Sequence, residues 1–319
     1  MIITLTANPS LDRTATLESP LARGQVQRVR EVTVEPGGKG VNVARAIHYA
    51  GHPVRAVLPA PDDDPFLRAL RQVGVEFRTL PVADPVRTNL TLSEADGTTT
   101  KINEPGGVLG PDLVRRLADL TVDEARGAEW VVLSGSLPPG VPDSFYADLV
   151  LRLRPLGVKV AVDTSDEPLV ALVTRFPESA PDLLKPNSDE LAQLTGADAA
   201  KLEADAKAGD PSSTVEAARL LVGLGVRAVV STLGGSGAVL VTGEGAWHAA
   251  PPPIAVRSTV GAGDSSVAGY VLAASRGLPD PERLRTAVAY GSAAASMAGS
   301  ALPAPEHLNT AGVVITDLG

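Results

Sequence analysis

A carboxylate set among glycines where a helix begins is the feature of this chain best suited to chemistry: Thr259-Val260-Gly261-Ala262-Gly263-Asp264-Ser265-Ser266. Gly261 and Gly263 let the backbone turn tightly, so that successive N–H groups point at one place. The apolar small-residue run that follows reads as a helix over 265–275, and its unpaired first amides and dipole add to the same positive potential. The result is an anion site of the kind that suits a phosphate. Asp264 sits at its mouth, where it either caps the helix or accepts a proton. The helix N-terminus favours its ionised form.

Other segments rich in small and polar residues recur where strands end. Asn8-Pro9-Ser10-Leu11-Asp12 follows an apolar strand over 2–6 and leaves Asp12 in a loop. Pro36-Gly37-Gly38-Lys39-Gly40 opens a helix over 41–50, which Gly51 ends. Ser134-Gly135-Ser136, Asp163-Thr164-Ser165, Lys185-Pro186-Asn187 and Thr232-Leu233-Gly234-Gly235 complete the set. Lys39 between glycines is not a Walker A lysine, because Gly-x-x-x-x-Gly-Lys-Ser/Thr occurs nowhere.

These segments need a frame. Strands are predicted over 54–58, 130–134, 158–163, 183–185, 228–233 and 238–241. Helices are predicted over 66–73, 113–124, 143–153, 188–195, 214–224 and 281–299, with a solvated helix and loop in 198–213. Strands alternating with helices imply a mostly parallel sheet covered on both faces, with ligands beyond the carboxyl ends of the strands. Two stretches interrupt that pattern. Residues 13–35 carry spaced valines (Val26, Val29, Val32, Val34), and 87–103 alternates on both sides of an Asp96-Gly97 turn. Together they read as a small β lid inserted in a single domain spanning 1–319.

Composition narrows the partners. The 319 residues are 44% hydrophobic and only 3% aromatic, with a net charge of −9. An acidic chain is unsuited to nucleic acid or anionic membranes, so any anion must be bound by local positive potential. Without cysteine there are no disulfides or thiolate metal sites. Residues 1–6 lack the marks of a signal peptide and no run spans a membrane, so a cytoplasmic protein is expected. His48 and His52 flank Gly51 and do not form a metal pair; Trp130 and Trp247 read as packing residues.

In order along the chain, the segments at 6–12, 36–44, 102–106, 134–138, 185–191 and 259–265 resemble those of the ribokinase-like sugar kinases, specifically the phosphofructokinase B branch. The resemblance covers essentially the whole chain and implies an α/β three-layer sandwich with a lid. It also implies an ATP- and Mg²⁺-dependent kinase, with a monovalent cation as a further candidate.

By the same resemblance Asp264 is the catalytic base and Gly261, Ala262 and Gly263 the anion hole. Asp12, Gly37, Gly38, Lys39, Asn42 and Ser136 hold the sugar, and Arg87 and Lys101 face its existing phosphate. Lys185, Asn187, Ser231, Thr232, Gly234 and Gly237 hold the nucleotide. Asn187 and Glu190, at i and i+3, offer hard oxygens to Mg²⁺ through water, although Asn187 also suits a helix cap.

The lid segment Ile102-Asn103-Glu104-Pro105-Gly106 is similar to that of 1-phosphofructokinases. This ranks D-fructose 1-phosphate first as substrate, tagatose 6-phosphate second and fructose 6-phosphate third. A sugar-phosphate sensor that has lost the chemistry is the alternative of another class. The open lid face suggests a homodimer.

Overall fold

Ile2–Leu5 is buried along its whole length and hydrogen-bonded at both edges, parallel to Val54–Pro59 on one side and to Trp130–Ser134 on the other. Such a strand must lie in the interior of a sheet with both faces covered. The structure, a computed structural model, describes residues 1–96 and 98–319.

The sheet has ten strands, in the order Val314–Asp317, Gly245–Ala250, Ala238–Thr242, Ala228–Thr232, Leu183–Leu184, Lys159–Asp163, Trp130–Ser134, Ile2–Leu5, Val54–Pro59 and Glu76–Leu80. From Ala228–Thr232 to Glu76–Leu80 the neighbours are parallel, and the three strands at the opposite edge are antiparallel. Strand pleating sends alternate side chains to opposite faces. Ile3, Leu5, Val131 and Leu133 join one core with helices such as Phe145–Leu153 and Ser212–Gly223. Ile2, Val132 and Ala161 join the other, with Lys39–Tyr49, Ala262–Ser275 and Asp280–Ala295. Three layers result, and the parallel strands all end at one edge.

The predicted elements are present, with informative differences at their ends. The helix expected over 281–299 stops at Ala295, and the following residues fold back as a loop toward the glycine turn. The helix expected from residue 265 begins at Ala262, which puts Asp264 inside its first turn. Strands Glu76–Leu80, Gly245–Ala250 and Val314–Asp317 lie at or near the sheet edges and carry too mixed a pattern to be read from sequence.

A second sheet of four strands, ordered Val29–Gly37, Ser10–Leu17, Arg87–Ser93 and Thr99–Asn103, forms the lid. Its strands reach further than the 13–35 expected. Ser10 pairs with Gly37, so Asp12 lies within a lid strand and not in a loop. The two halves are joined by parallel pairing of Ser10–Leu17 with Arg87–Ser93. Of the expected Asp96-Gly97 turn, Gly97 lies outside the described residues, and the strands flanking the turn pair antiparallel.

Register separates the lid faces. Asp12, Glu35, Asn89 and Asn103 stand on one side; Val34, Leu90 and Ile102 stand on the other. Val34 and Ile102 are 52% and 55% exposed, an uncovered apolar face. Among the described residues no helix is long and apolar enough to cross a membrane.

Candidate active site

The glycine turn folds as its composition predicts. Gly261 occupies the left-handed region (φ 75°) and forms the N-cap of Ala262–Ser275. Only glycine takes that conformation without strain. The first full helical bond runs from the Ser265 amide to the Gly261 carbonyl, at 2.8 Å. Among the described residues, the Gly263 and Asp264 amides have no backbone acceptor. They are the free donors of a helix N-terminus.

Asp264 does not cap the helix, whose N-terminus has no side-chain hydrogen bond. Its Oδ2 accepts instead from Asn42 Nδ2 at 2.9 Å, and the residue is 6% exposed. Asn42 lies on Lys39–Tyr49, the helix opened by the Gly37-Gly38 turn.

Beside this pair lies a charge cluster that crosses the carboxyl ends of the strands. Asp163, ending Lys159–Asp163, is 1% exposed. Its Oδ1 receives Lys39 Nζ at 3.1 Å and lies 3.3 Å from Lys185 Nζ, while Oδ2 has no partner among the described residues. A β-carbon at Gly263 would lie 3.6 Å from Lys185 Nζ, so this ammonium flanks the glycine turn.

Burial opposes ionisation of Asp163, but Lys185 and Lys39 prevail and hold its carboxyl below the usual range. Asp163 in turn raises Lys39 against the effect of burial. Asp264 shifts the other way. Burial and then the negative charge of Asp163 push it up to about 6, against Lys39, Asn42 and Lys185. The helix N-terminus is expected to favour the ionised form, but burial and a like charge shift the carboxyl the other way.

On the lid side, Asp12 Oδ1 accepts from Ser10 Oγ at 2.7 Å and from Asn89 Nδ2 at 3.1 Å. Burial raises its pKa despite both bonds. A side chain at Gly37 would place its β-carbon 2.1 Å from Asp12 Oδ2, so any larger residue there would force the Asp12 carboxylate to move. Arg87 donates to the backbone carbonyls of Glu104 at 2.9 Å and Asn8 at 3.3 Å, and burial lowers its pKa. Ser136 is exposed, with Oγ 3.5 Å from Asn8 Nδ2. Lys101 is exposed and sits opposite Thr91. That places it four residues, or roughly 13 Å, farther along the lid strand than Arg87. The backbones of the two expected phosphate ligands are thus offset along the lid, and the Arg87 guanidinium is near enough to Asp12 to feel its charge.

Across the glycine turn, a cleft of about 490 Å³ is lined by Thr232, Gly234, Gly237, Val256, Gly263 and Ser292, among others. Ser292 belongs to Asp280–Ala295, a wall that no motif announced. Ser231 is fully buried, its hydroxyl has no partner among the described residues, and it does not line the cleft, so its side chain is not offered to the nucleotide. Strand alternation turns Thr232 outward and Ser231 inward. Asn187 bridges to Thr232 at the rim. Asn187 and Glu190 form a reciprocal capping box, Oδ1 of Asn187 accepting from the Glu190 amide and Oε2 of Glu190 from the Asn187 amide, both at 2.8 Å. One oxygen of each side chain is thereby committed to the helix.

The family model for pfkB carbohydrate kinases matches residues 6–307. The chain belongs to the pfkB family of carbohydrate kinases. It is 38% identical over 312 residues to the 1-phosphofructokinase of Rhodobacter capsulatus, covering 96% of this chain and 94% of the relative. The structure of Escherichia coli phosphofructokinase-2 in complex with substrates and products superposes with a TM-score of 0.86, at 32% identity and 96% of each chain. That enzyme has also been solved with potassium, and in a tetrameric inhibited form. Arabidopsis thaliana ribokinase, at 22% identity and a TM-score of 0.70 over 94% of this chain and 93% of that one, shares the fold.

In this pfkB-family kinase, Asp163 and Asn89 lie among the candidate site residues although the motifs did not single them out. The signal for Asp163 was its place at a strand end; nothing local marked its pairing with two lysines. For Asn89 it was the polar face of the lid strand, where its Oδ1 remains buried without a partner. Among the described residues no group of three or more His, Asp or Glu is arranged to hold a metal. A Mg²⁺ ion carried on nucleotide phosphates needs few protein ligands. Asn187 has its single side-chain oxygen in the capping box, whereas Glu190 keeps one oxygen outside it and Asp163 Oδ2 has no partner among the described residues, so these two carboxylates have oxygens to offer such an ion.

Proposed function

We propose that this kinase transfers the γ-phosphoryl group of ATP to a hexose phosphate, with D-fructose 1-phosphate the first candidate and fructose 1,6-bisphosphate the product. The observation that carries the reading is Asp264 itself. It is a buried carboxylate not used as a cap, raised to about 6, and set in the first turn of a helix whose free amides face the same mouth.

In this reading the sugar lies between the polar lid face and Asp264. Asp12 and Asn42, with Asn89 added, hold its hydroxyls, and the Arg87 guanidinium faces its phosphate. The attacking hydroxyl donates to Asp264, its oxygen bonds to the γ-phosphorus, and the bond to the β–γ bridging oxygen breaks, releasing ADP. The proton ends on Asp264. A carboxylate titrating near 6 is ionised at neutral pH yet basic enough to accept that proton.

The Gly261–Gly263 turn stabilises negative charge on the transferred group, with Lys185 and Lys39 beside it. Glu190 and Asp163 would offer oxygens to a Mg²⁺ ion, which when bound would neutralise charge on the nucleotide phosphates. The cleft around Thr232, Gly234 and Gly237 takes the nucleotide. Residues 1–319 work as one kinase domain in this reading, and two copies pair through the apolar lid face.

The preference for the 1-phosphate rests on the lid segment 102–106 and on the Rhodobacter relative. Asp264 and both glycines of its turn are present, so the sensor reading has no observation in its favour. An ADP-release assay with Mg²⁺ and each of fructose 1-phosphate, tagatose 6-phosphate and fructose 6-phosphate tests the reading. The highest kcat/KM is expected with fructose 1-phosphate; binding without turnover on all three would favour the sensor.

A further inference from the structure

Glu35 joins two parts of the molecule that serve different substrates. It lies on the lid strand Val29–Gly37, directly opposite Asp12, and two residues before Gly37, whose backbone passes against the Asp12 carboxylate. One Glu35 oxygen accepts from Arg45 Nη2 at 2.9 Å. The other accepts from the hydroxyl of Ser300.

Neither partner is incidental. Arg45 is 2% exposed and lies one turn beyond Asn42 on Lys39–Tyr49, and its Nη1 donates to the Pro36 carbonyl at 3.0 Å. A buried guanidinium needs its counter-charge, so Glu35 is held to this helix by more than an ordinary surface pair. Ser300 belongs to the segment after Asp280–Ala295 and is 6% exposed. That segment continues to Leu302, which would lie 2.9 Å from a β-carbon at Gly261. The carbonyl of Ala295, a cleft residue, accepts from the Arg257 amide at 2.9 Å just before the glycine turn.

A continuous path of contacts thus runs from Asp12 through Gly37 and Glu35 to Ser300, and on to the glycine turn and nucleotide cleft. Its lid end is anchored by the buried Arg45. Its other end is one hydroxyl bond to a loop. A ligand that fixes either end lowers the entropy still to be lost by the other, and such shared ordering is a coupling free energy between sites.

We propose that Glu35 is a positioning residue that couples the sugar-phosphate and nucleotide subsites through its bond to Ser300. This inference rests on the kinase reading above. The coupling acts on binding of one substrate in the presence of the other, and leaves each subsite intact by itself.

Calorimetry on the full chain tests it. The dissociation constants of fructose 1-phosphate and of a non-hydrolysable ATP analogue with Mg²⁺ are measured alone and together. In the wild type, each ligand is expected to tighten the other by about fivefold or more. Ser300→Ala removes one hydroxyl and strands no buried charge. It should reduce that factor to below about twofold while each ligand alone binds within about twofold of wild type. Ser300→Thr, which keeps the hydroxyl, should restore the coupling.

Unchanged coupling in Ser300→Ala, or equal loss of both single-ligand affinities, overturns the proposal. A wild type that binds both ligands without coupling overturns it as well. A wild type that binds neither ligand would instead bring down the kinase reading on which it rests.

Discussion

Asn42 and Asp264, 222 residues apart in the chain, meet through a 2.9 Å hydrogen bond that joins the start of one helix to the start of another. The bond orients the carboxylate and opposes the burial that raises its pKa. Each helix is opened by a glycine turn, so two motifs legible separately in the sequence become one device.

Asp264→Asn should lower kcat by on the order of 10²–10⁴, with little change in sugar-phosphate or nucleotide affinity. Steady-state kinetics beside calorimetry checks this, and near-normal turnover would remove Asp264 from its role. The same substitution should stabilise the fold near neutral pH. The folded-state pKa of about 6 lies above the ordinary 3.8, so the folded protein binds the proton more tightly. Wild-type stability therefore declines as pH rises through that window, and the Asn variant escapes the decline. Thermal melts at pH 4 and pH 7.5 should show its advantage only at the higher pH.

The acid limb of kcat/KM should report Asp264, with activity lost as pH falls through about 6. Asn42→Ala removes a donor to the ionised form, and the limb should move upward by about one unit. Asp163→Asn removes the repelling charge, and the limb should move downward. It also leaves Lys185 buried without its counter-charge, at a stability cost of about 3–5 kcal/mol. Shifts of the same sign in both variants would contradict the assigned electrostatics.

Arg87→Ala should raise KM for the sugar phosphate about tenfold or more, since charge-assisted contacts to phosphate are strong, and leave KM for ATP in place. Lys101→Ala should have a smaller effect, visible mainly at low ionic strength, because the lysine is exposed and farther along the lid. If Lys101→Ala proved the more damaging, the lid would have to present the substrate in the opposite sense.

The uncovered lid face around Val32, Val34 and Ile102 should hold two copies together. Sedimentation is expected to show a dimer at micromolar concentration, and Val34→Asp should shift it toward monomer. A monomeric wild type would sink this arrangement.

Whatever depends on local chemistry is legible along the chain. Gly261 allows a left-handed turn, small residues after it continue as a helix, and apolar runs separated by polar turns become strands of a covered parallel sheet. The sequence also marked Asp264 as a candidate, while leaving open whether the carboxylate caps the helix or accepts a proton. The tertiary structure decided what depends on distance through space and on exclusion of water. Asp163 meets Lys39 across 124 residues, and no local pattern encodes that contact. Burial first, and then the Asp163 charge acting inside the protein, raises Asp264. The pleat of one strand turned Thr232 toward the cleft and Ser231 into the core, a choice that a one-residue change of register would reverse. Composition places a carboxylate at a site; packing sets the pH at which it ionises.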